Sequence, residues 1–190
     1  MSCSRRAFLK DAGCGALVST LPTSAFVLLT QDEAKAAVSN ATTRWAFLVD
    51  TTQCVGCGMC VKACKNENEV PYDAPVTRTW VERYIVMKDG TSHADSPLGG
   101  RDGYTQDMVM DEEIDPDDIA KAFFVPKLCN QCENPACVQS CAFGARQIAN
   151  LRDPDDPVTK IITTERVAVL KDEYGTKPHV FYIGLDANVR

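Results

Sequence analysis

The spacing of apolar and polar positions predicts short strands and turns with few helices. Arg44-Trp45-Ala46-Phe47-Leu48-Val49-Asp50 leads into a continuous apolar stretch of strand type, and Asp50-Thr51-Thr52-Gln53 turns the chain out of it. After Cys64, Lys65-Asn66-Glu67-Asn68 is polar, and Pro71 and Pro75 break any helix. Thr79-Trp80-Val81-Glu82-Arg83-Tyr84-Ile85-Val86-Met87 is rich in β-branched and aromatic residues and predicts a second strand, closed by a turn over Lys88-Asp89-Gly90-Thr91. Positions 90–105 are rich in Gly, Ser and Asp and predict an exposed loop. Pro116 to Phe124 predicts a short helix, with acids at the start where the dipole favours them. Asp156 to Ile162 predicts another, with Asp156 near its cap and Pro157 at its first position. Val167–Leu170 and Val180–Ile183 read as strands joined through Tyr174-Gly175-Thr176-Lys177-Pro178, a tail expected to be ordered and packed.

The first 36 residues have a different pattern. Ser4-Arg5-Arg6-Ala7-Phe8-Leu9-Lys10 is a twin-arginine start, a modestly apolar region split by Pro22 comes next, and Ala34-Lys35-Ala36 offers an A-x-A-like cleavage site. Residues 1–36 therefore read as a signal for export of a folded protein to the periplasm, and residues 37–190 as one domain, with an acidic loop insertion over about 88–118. No apolar run reaches the ~18–20 residues of a spanning helix, so no direct membrane span is expected. The whole chain carries 20 Lys and Arg against 26 Asp and Glu, net −6; without the signal 16 basic and 23 acidic residues remain, net −7. That balance argues against nucleic acid as a partner. Asp111 to Asp118 holds six acids in eight positions, a solvated segment or a docking patch for a basic partner.

Setting the signal aside also clarifies the cysteines. Cys3 and Cys14 fall inside it, and eight of the ten remain, in two tight groups. Cys54, Cys57, Cys60 and Cys64 are spaced C-x2-C-x2-C-x3-C, the run of bacterial [4Fe–4S] ferredoxins. Each iron corner of a cubane cluster needs one thiolate. Two C-x2-C steps wrap a short loop round three corners, and Gly56 and Gly58 supply the φ > 0 geometry such a loop needs. Cys64 is expected at the start of a helix, directed away from its own loop; in two-cluster ferredoxins that fourth cysteine ligates the other cluster. The partner motif is Cys129, Cys132, Cys137 and Cys141, spaced C-x2-C-x4-C-x3-C, with Pro135 in the longer loop and Cys141 expected to open a helix in the same way. Shared beginnings and endings make the two motifs an internal repeat.

Other uses of eight cysteines fit less well. Structural zinc sites usually pair two C-x2-C knuckles rather than use a C-x2-C-x2-C-x3-C run. Four disulfides are conceivable in an exported protein, but cysteines three apart seldom meet bridging geometry. His93 and His179 lie outside the motifs and read as surface or packing residues. No nucleophile–base signature or Gly-rich phosphate loop is present, so no catalytic residue is assigned.

The twin-arginine start, the two motifs and the tail together resemble the iron–sulfur electron-transfer subunits of dimethyl sulfoxide reductase family complexes, of tetrathionate/polysulfide reductase and alternative complex III type. The resemblance rests on Cys54 to Pro71, on Phe124-Val125-Pro126-Lys127-Leu128-Cys129 through Cys137, and on Phe143-Gly144-Ala145-Arg146 onward to Gly184-Leu185. It implies an α+β, ferredoxin-like module with two [4Fe–4S] clusters and added strands, loop and C-terminal tail. It further implies a relay of single electrons between a molybdopterin catalytic subunit and a multi-spanning membrane anchor. Such subunits usually carry four motifs. This chain reads as though the third and fourth were deleted near Ala136-Cys137-Val138-Gln139, because the segment after Cys141 resembles the stretch that comes after a fourth motif. Pairing that hybrid with the first motif implies Cys54, Cys57, Cys60 and Cys141 on one cluster, and Cys129, Cys132, Cys137 and Cys64 on the other. Lys65 and Ala142 stand where ferredoxins place Pro. Lys62, Lys65, Lys127 and Arg146 lie close to the cysteines in sequence and are candidates to offset cluster charge. A free-standing periplasmic ferredoxin and a remnant of a four-cluster subunit that no longer completes the wire are the alternative readings.

Overall fold

In the computed structural model, which describes residues 42–104 and 114–189, the expected first strand forms as β1, Trp45–Asp50, with Ala46 to Val49 buried. It leads through the first cysteine loop into helix α1, Met59–Glu67. Strands β2, Trp80–Met87, and β3, Ser92–Asp95, form a hairpin across the predicted turn, with Met87 N–H donating to the Thr91 carbonyl. Strand β4, Ile119–Lys127, returns along β2 and runs into the second cysteine loop. Helix α2, Ala136–Gln139, strand β5, Arg146–Asn150, helix α3, Pro157–Thr164, and strand β6, Val180–Ile183, complete the order.

Two three-stranded sheets result, β5-β1-β6 and β3-β2-β4. β1 pairs antiparallel with β5, Phe47 opposite Ile148, and parallel with β6, Val49 opposite Tyr182. β2 pairs antiparallel with β4, Trp80 opposite Lys127. The strand before each cysteine motif thus pairs with the strand after the other motif. That exchange is the structural form of the internal repeat, and it places α1 against α2. The sheets meet through Val49, Tyr84, Val125 and Tyr182, whose phenol donates to the Pro126 carbonyl at 3.1 Å. Asp156 caps α3 as expected, accepting from the Val158 and Thr159 N–H groups and from Asn150 N–H.

Several expectations are corrected. The helix foreseen over Pro116–Phe124 is a single 3-10 turn, Pro116–Asp118, and then strand. Ala and Lys favour helix locally, but pairing with β2 and the stacking of Phe123 on Tyr84, centroids 5.4 Å apart, override that preference. Pro126 is tolerated because β4 is an edge strand. Positions 90–105 are not simply an exposed loop: β3 lies there, and Gly100, Arg101 and Gly103 are buried. The strand expected at Val167–Leu170 is reduced to one bridge, Ala168 to Tyr182. The twin-arginine segment lies outside the described residues, as does the start of the acidic run. No helix among the described residues is long and apolar enough to cross a membrane.

Candidate metal centres

Gly58 is where the first loop becomes a helix. Its φ of 72° ends the loop, and its carbonyl accepts from the N–H groups of Val61 and Lys62, so α1 starts at Met59. Cys60 therefore lies in the first turn and Cys64 in the second, not at the helix start as expected. Four residues apart, they share one helix face, displaced by about one 5.4 Å turn. The second motif repeats this with a correction of its own: α2 begins before Cys137 and ends before Cys141, whose N–H donates to the Val138 carbonyl. Asn130, at φ 51°, makes the left-handed turn that glycine makes in the first loop.

The cysteines line two small cavities. Cys54, Cys57, Cys60 and Cys141 surround one, together with Val81, Pro126, Phe143 and Arg146. Cys64, Cys129, Cys132 and Cys137 surround the other, with Phe47, Thr79, Leu128 and Pro135. Each cavity takes three cysteines from one motif and one from the other. All eight are free thiols, so disulfide pairing is not the arrangement adopted. Among the described residues no three His, Cys, Asp or Glu side chains converge as a single metal ion would require. Four thiols ringing a cavity without closing on one point suit a polynuclear cluster, whose iron corners are spread, better than a lone zinc held at ~2.3 Å. The donor set thus fits [4Fe–4S] clusters.

Surroundings differ between the sites. At the first, burial pushes the Cys54 thiol up and carries Cys60 up to about 11, opposed at Cys54 by a backbone bond from Gly56 and at both by the Arg146 charge. Burial also raises Cys64 and Cys137; neighbouring thiols reinforce this, while Arg78 opposes it at Cys64 and Arg146 at Cys137. Because thiolate is the ligand, loading either site must remove these protons. Asn68 donates to the Cys64 carbonyl at 2.9 Å and approaches its sulfur at 3.5 Å. It stands four residues after Cys64, a helical spacing that marks it as a neighbour of that ligand in the sequence itself.

The segment Gly100–Tyr104, with Gly100, Arg101 and Gly103 buried, closes over the first loop. Tyr104 N–H donates to the Gly56 carbonyl, and the Tyr104 phenol donates to the Val81 carbonyl at 2.6 Å. A Cβ on Gly58 would meet the carbonyl oxygens of Gly100 and Arg101 at 2.4 Å. Nothing in the composition of Gly99-Gly100-Arg101-Asp102-Gly103-Tyr104 separates such a strap from a solvated loop. Val55, Met59 and Phe143, which line the first cavity, are exposed, as is Cys57.

Of the four candidate cations, Lys65 is buried and donates to the carbonyls of Pro71, Ala74 and Val76. Lys127 pairs with Glu82 at 3.3 Å. Lys62 is half-buried and lines an open surface groove with Lys65 and Tyr72. Only Arg146 lines one of the two cysteine cavities.

Comparison with known proteins agrees with this geometry. A family model described as a 4Fe-4S dicluster domain matches residues 53–145, which span both motifs. The B subunit of tetrathionate reductase from Salmonella typhimurium is 30% identical over 188 aligned positions, covering 75% of this chain and 73% of the relative. The arsenate respiratory reductase iron-sulfur subunit of a Shewanella species is 32% identical over 151 positions, covering 74% and 63%. The B polypeptide of polysulfide reductase from Wolinella succinogenes is 23% identical over 182 positions, covering 74% and 94%. A dicluster domain holds two [4Fe–4S] clusters, the number that eight thiols in two rings can bind. The chain therefore belongs to the family of iron–sulfur subunits that includes the B subunit of tetrathionate reductase.

Proposed function

We propose that the protein is an exported electron-transfer subunit, passing single electrons between a quinone-reactive membrane anchor and a molybdopterin catalytic subunit. The observation that carries this reading is the pair of four-cysteine cavities, each borrowing one cysteine from the other motif. When bound, each cluster supplies one-electron redox chemistry; the polypeptide performs no bond chemistry of its own. Cys54, Cys57, Cys60 and Cys141 hold the first cluster; Cys129, Cys132, Cys137 and Cys64 hold the second. The protein's part is to fix the distance between them, exclude water and set potentials through burial, N–H···S bonds and charge. The exposure of Val55, Met59 and Phe143, which line the same cavity as the exposed Cys57, supports the first site as the point of contact with a redox partner.

Derivation from a four-cluster subunit has support in the comparison. The alignment with the Salmonella relative runs 188 positions yet takes in only 75% of a 190-residue chain, so the relative has residues at many positions where this chain has none. Residues 1–36 are removed after twin-arginine export, and residues 37–190 act in the periplasm, peripheral to the membrane.

Iron quantitation with low-temperature EPR on the anaerobically purified protein tests the reading. About eight irons per chain and two interacting reduced cubanes are expected; four or fewer irons would refute the two-cluster assignment.

A further inference from the structure

Arg146 is 2% exposed, at the first position of β5. Burying a guanidinium is costly unless its charge and its donors are answered. Here one donor is answered: Nη1 reaches Thr79 Oγ1 at 2.7 Å, and that hydroxyl donates in turn to the Lys127 carbonyl at 2.5 Å. Nη2 is buried and makes no hydrogen bond of ordinary geometry with the described residues. No carboxylate pairs with Arg146 among the described ion pairs. Cysteines of both sites neighbour the side chain instead. It lines the first cavity beside Cys54, Cys60 and Cys141, and it lies within bonding reach of Cys137 in the second. Its charge opposes the upward push of burial on Cys54, Cys60 and Cys137, three thiols drawn from both sites.

We infer that Arg146 is the shared counter-charge of the two sites, its free Nη2–H donating to cluster sulfur while Thr79 fixes the plane of the guanidinium. The inference rests on the two-cluster reading above. A buried cation without a carboxylate is stable only when anionic centres stand next to it, and two thiolate-bound clusters provide them. Reduction of either site by one electron adds one negative charge beside Arg146, and the guanidinium favours that reduced form. Arg146 therefore holds up both potentials together, while Arg78 acts on the second site alone, at Cys64. Lys65 and Lys127, already committed to carbonyls and to Glu82, take no part. Arg146 is a positioning and tuning residue; it carries no electron.

EPR-monitored redox titration of the full chain tests this with Arg146→Met and Arg146→Lys. Wild-type iron is counted first, because four or fewer irons would refute the two-cluster reading before any variant is made. Arg146→Met is expected to keep about eight irons and to lower both potentials. At a fixed poise the reduced-to-oxidised ratio should fall at least tenfold at each site, about 59 mV for a one-electron couple. Arg146→Lys, which keeps the charge but loses the planar fork, should fall between. Full iron with both potentials unchanged in Arg146→Met would overturn the inference. Should that variant lose its iron, Arg146→Gln, which removes the charge but keeps an amide donor, is titrated in its place. Lowered potentials at full iron support the inference, unchanged ones overturn it, and loss of iron from both uncharged variants would make Arg146 a scaffold residue and overturn it as well.

Discussion

The two cysteine loops have the same task and are built by different means. The first turns on glycine, with Gly56 and Gly58 at φ 68° and 72°, and is clamped from outside by the strap ending at Tyr104. The second turns on Asn130 at φ 51°, carries the buried Pro135 and has two extra residues between its second and third cysteines. Gly56 is filled from beyond: an added Cβ would lie 2.7 Å from the Phe124 ring. The difference shows where precision comes from. A short loop needs neighbours to hold it, whereas a longer one with proline can hold itself. The exposed edges differ in kind as well: the first loop presents Val55, Cys57 and Met59, the second Asn130, Gln131, Glu133 and Asn134.

The largest test of that contrast exchanges the two crossing ligands. Cys64→Ser, although it lies in the first motif, should abolish the second cluster's EPR signal first; Cys141→Ser should abolish the first cluster's. Each variant should drop from about eight irons to about four. Loss of the signal from its own motif's site in either case would break the crossed assignment.

A smaller effect separates the clamp from the loop itself. Gly58→Ala combines left-handed strain of ~1–2 kcal/mol with a clash against two backbone carbonyls that cannot give way. Gly144→Ala, also at positive φ but with nothing within 4 Å of the new Cβ, should cost only the strain. Iron content should therefore fall at the first site in Gly58→Ala and stay whole in Gly144→Ala, with denaturant midpoints ordered the same way. Equal behaviour would mean that the strap does not define the first loop.

The smallest effect is Tyr104→Phe, which deletes the phenol bond to the Val81 carbonyl and leaves the ring on Phe124, centroids 5.0 Å apart. A loss of about 1 kcal/mol is expected. It should emerge as faster bleaching of the first cluster by chelator, with the second unchanged.

Much of this contrast is legible in the sequence, and the missing parts have a common cause. The cysteine spacings identify two loops because cluster geometry tolerates little variation. Gly56 and Gly58 announce positive φ because few other residues adopt it cheaply. β1, β2, β6 and α3 arise from apolar runs and a capping Asp-Pro pair. β4 is hidden because Ala120, Lys121 and Ala122 favour helix, and only the register with β2 decides otherwise. The strap is hidden for the same reason: Gly103 and the Gly100 and Arg101 carbonyls pack against a loop some forty residues earlier, and local composition carries no sign of that partner. Arg146 is visible as a charge near cysteines. Its separation from the carboxylates of the described ion pairs, which sets it apart from Lys127, exists only in three dimensions.

The cysteine pairs four residues apart, one on α1 and one running off the end of α2, bear on the history of the chain. Each helix serves both cavities, so a single motif cannot be excised without leaving two defective cofactor sites. Shortening is survivable only when whole pairs leave and the cut falls between the two ligands of one helix. The turn from Cys137 to Cys141 is where such a seam would keep both rings closed.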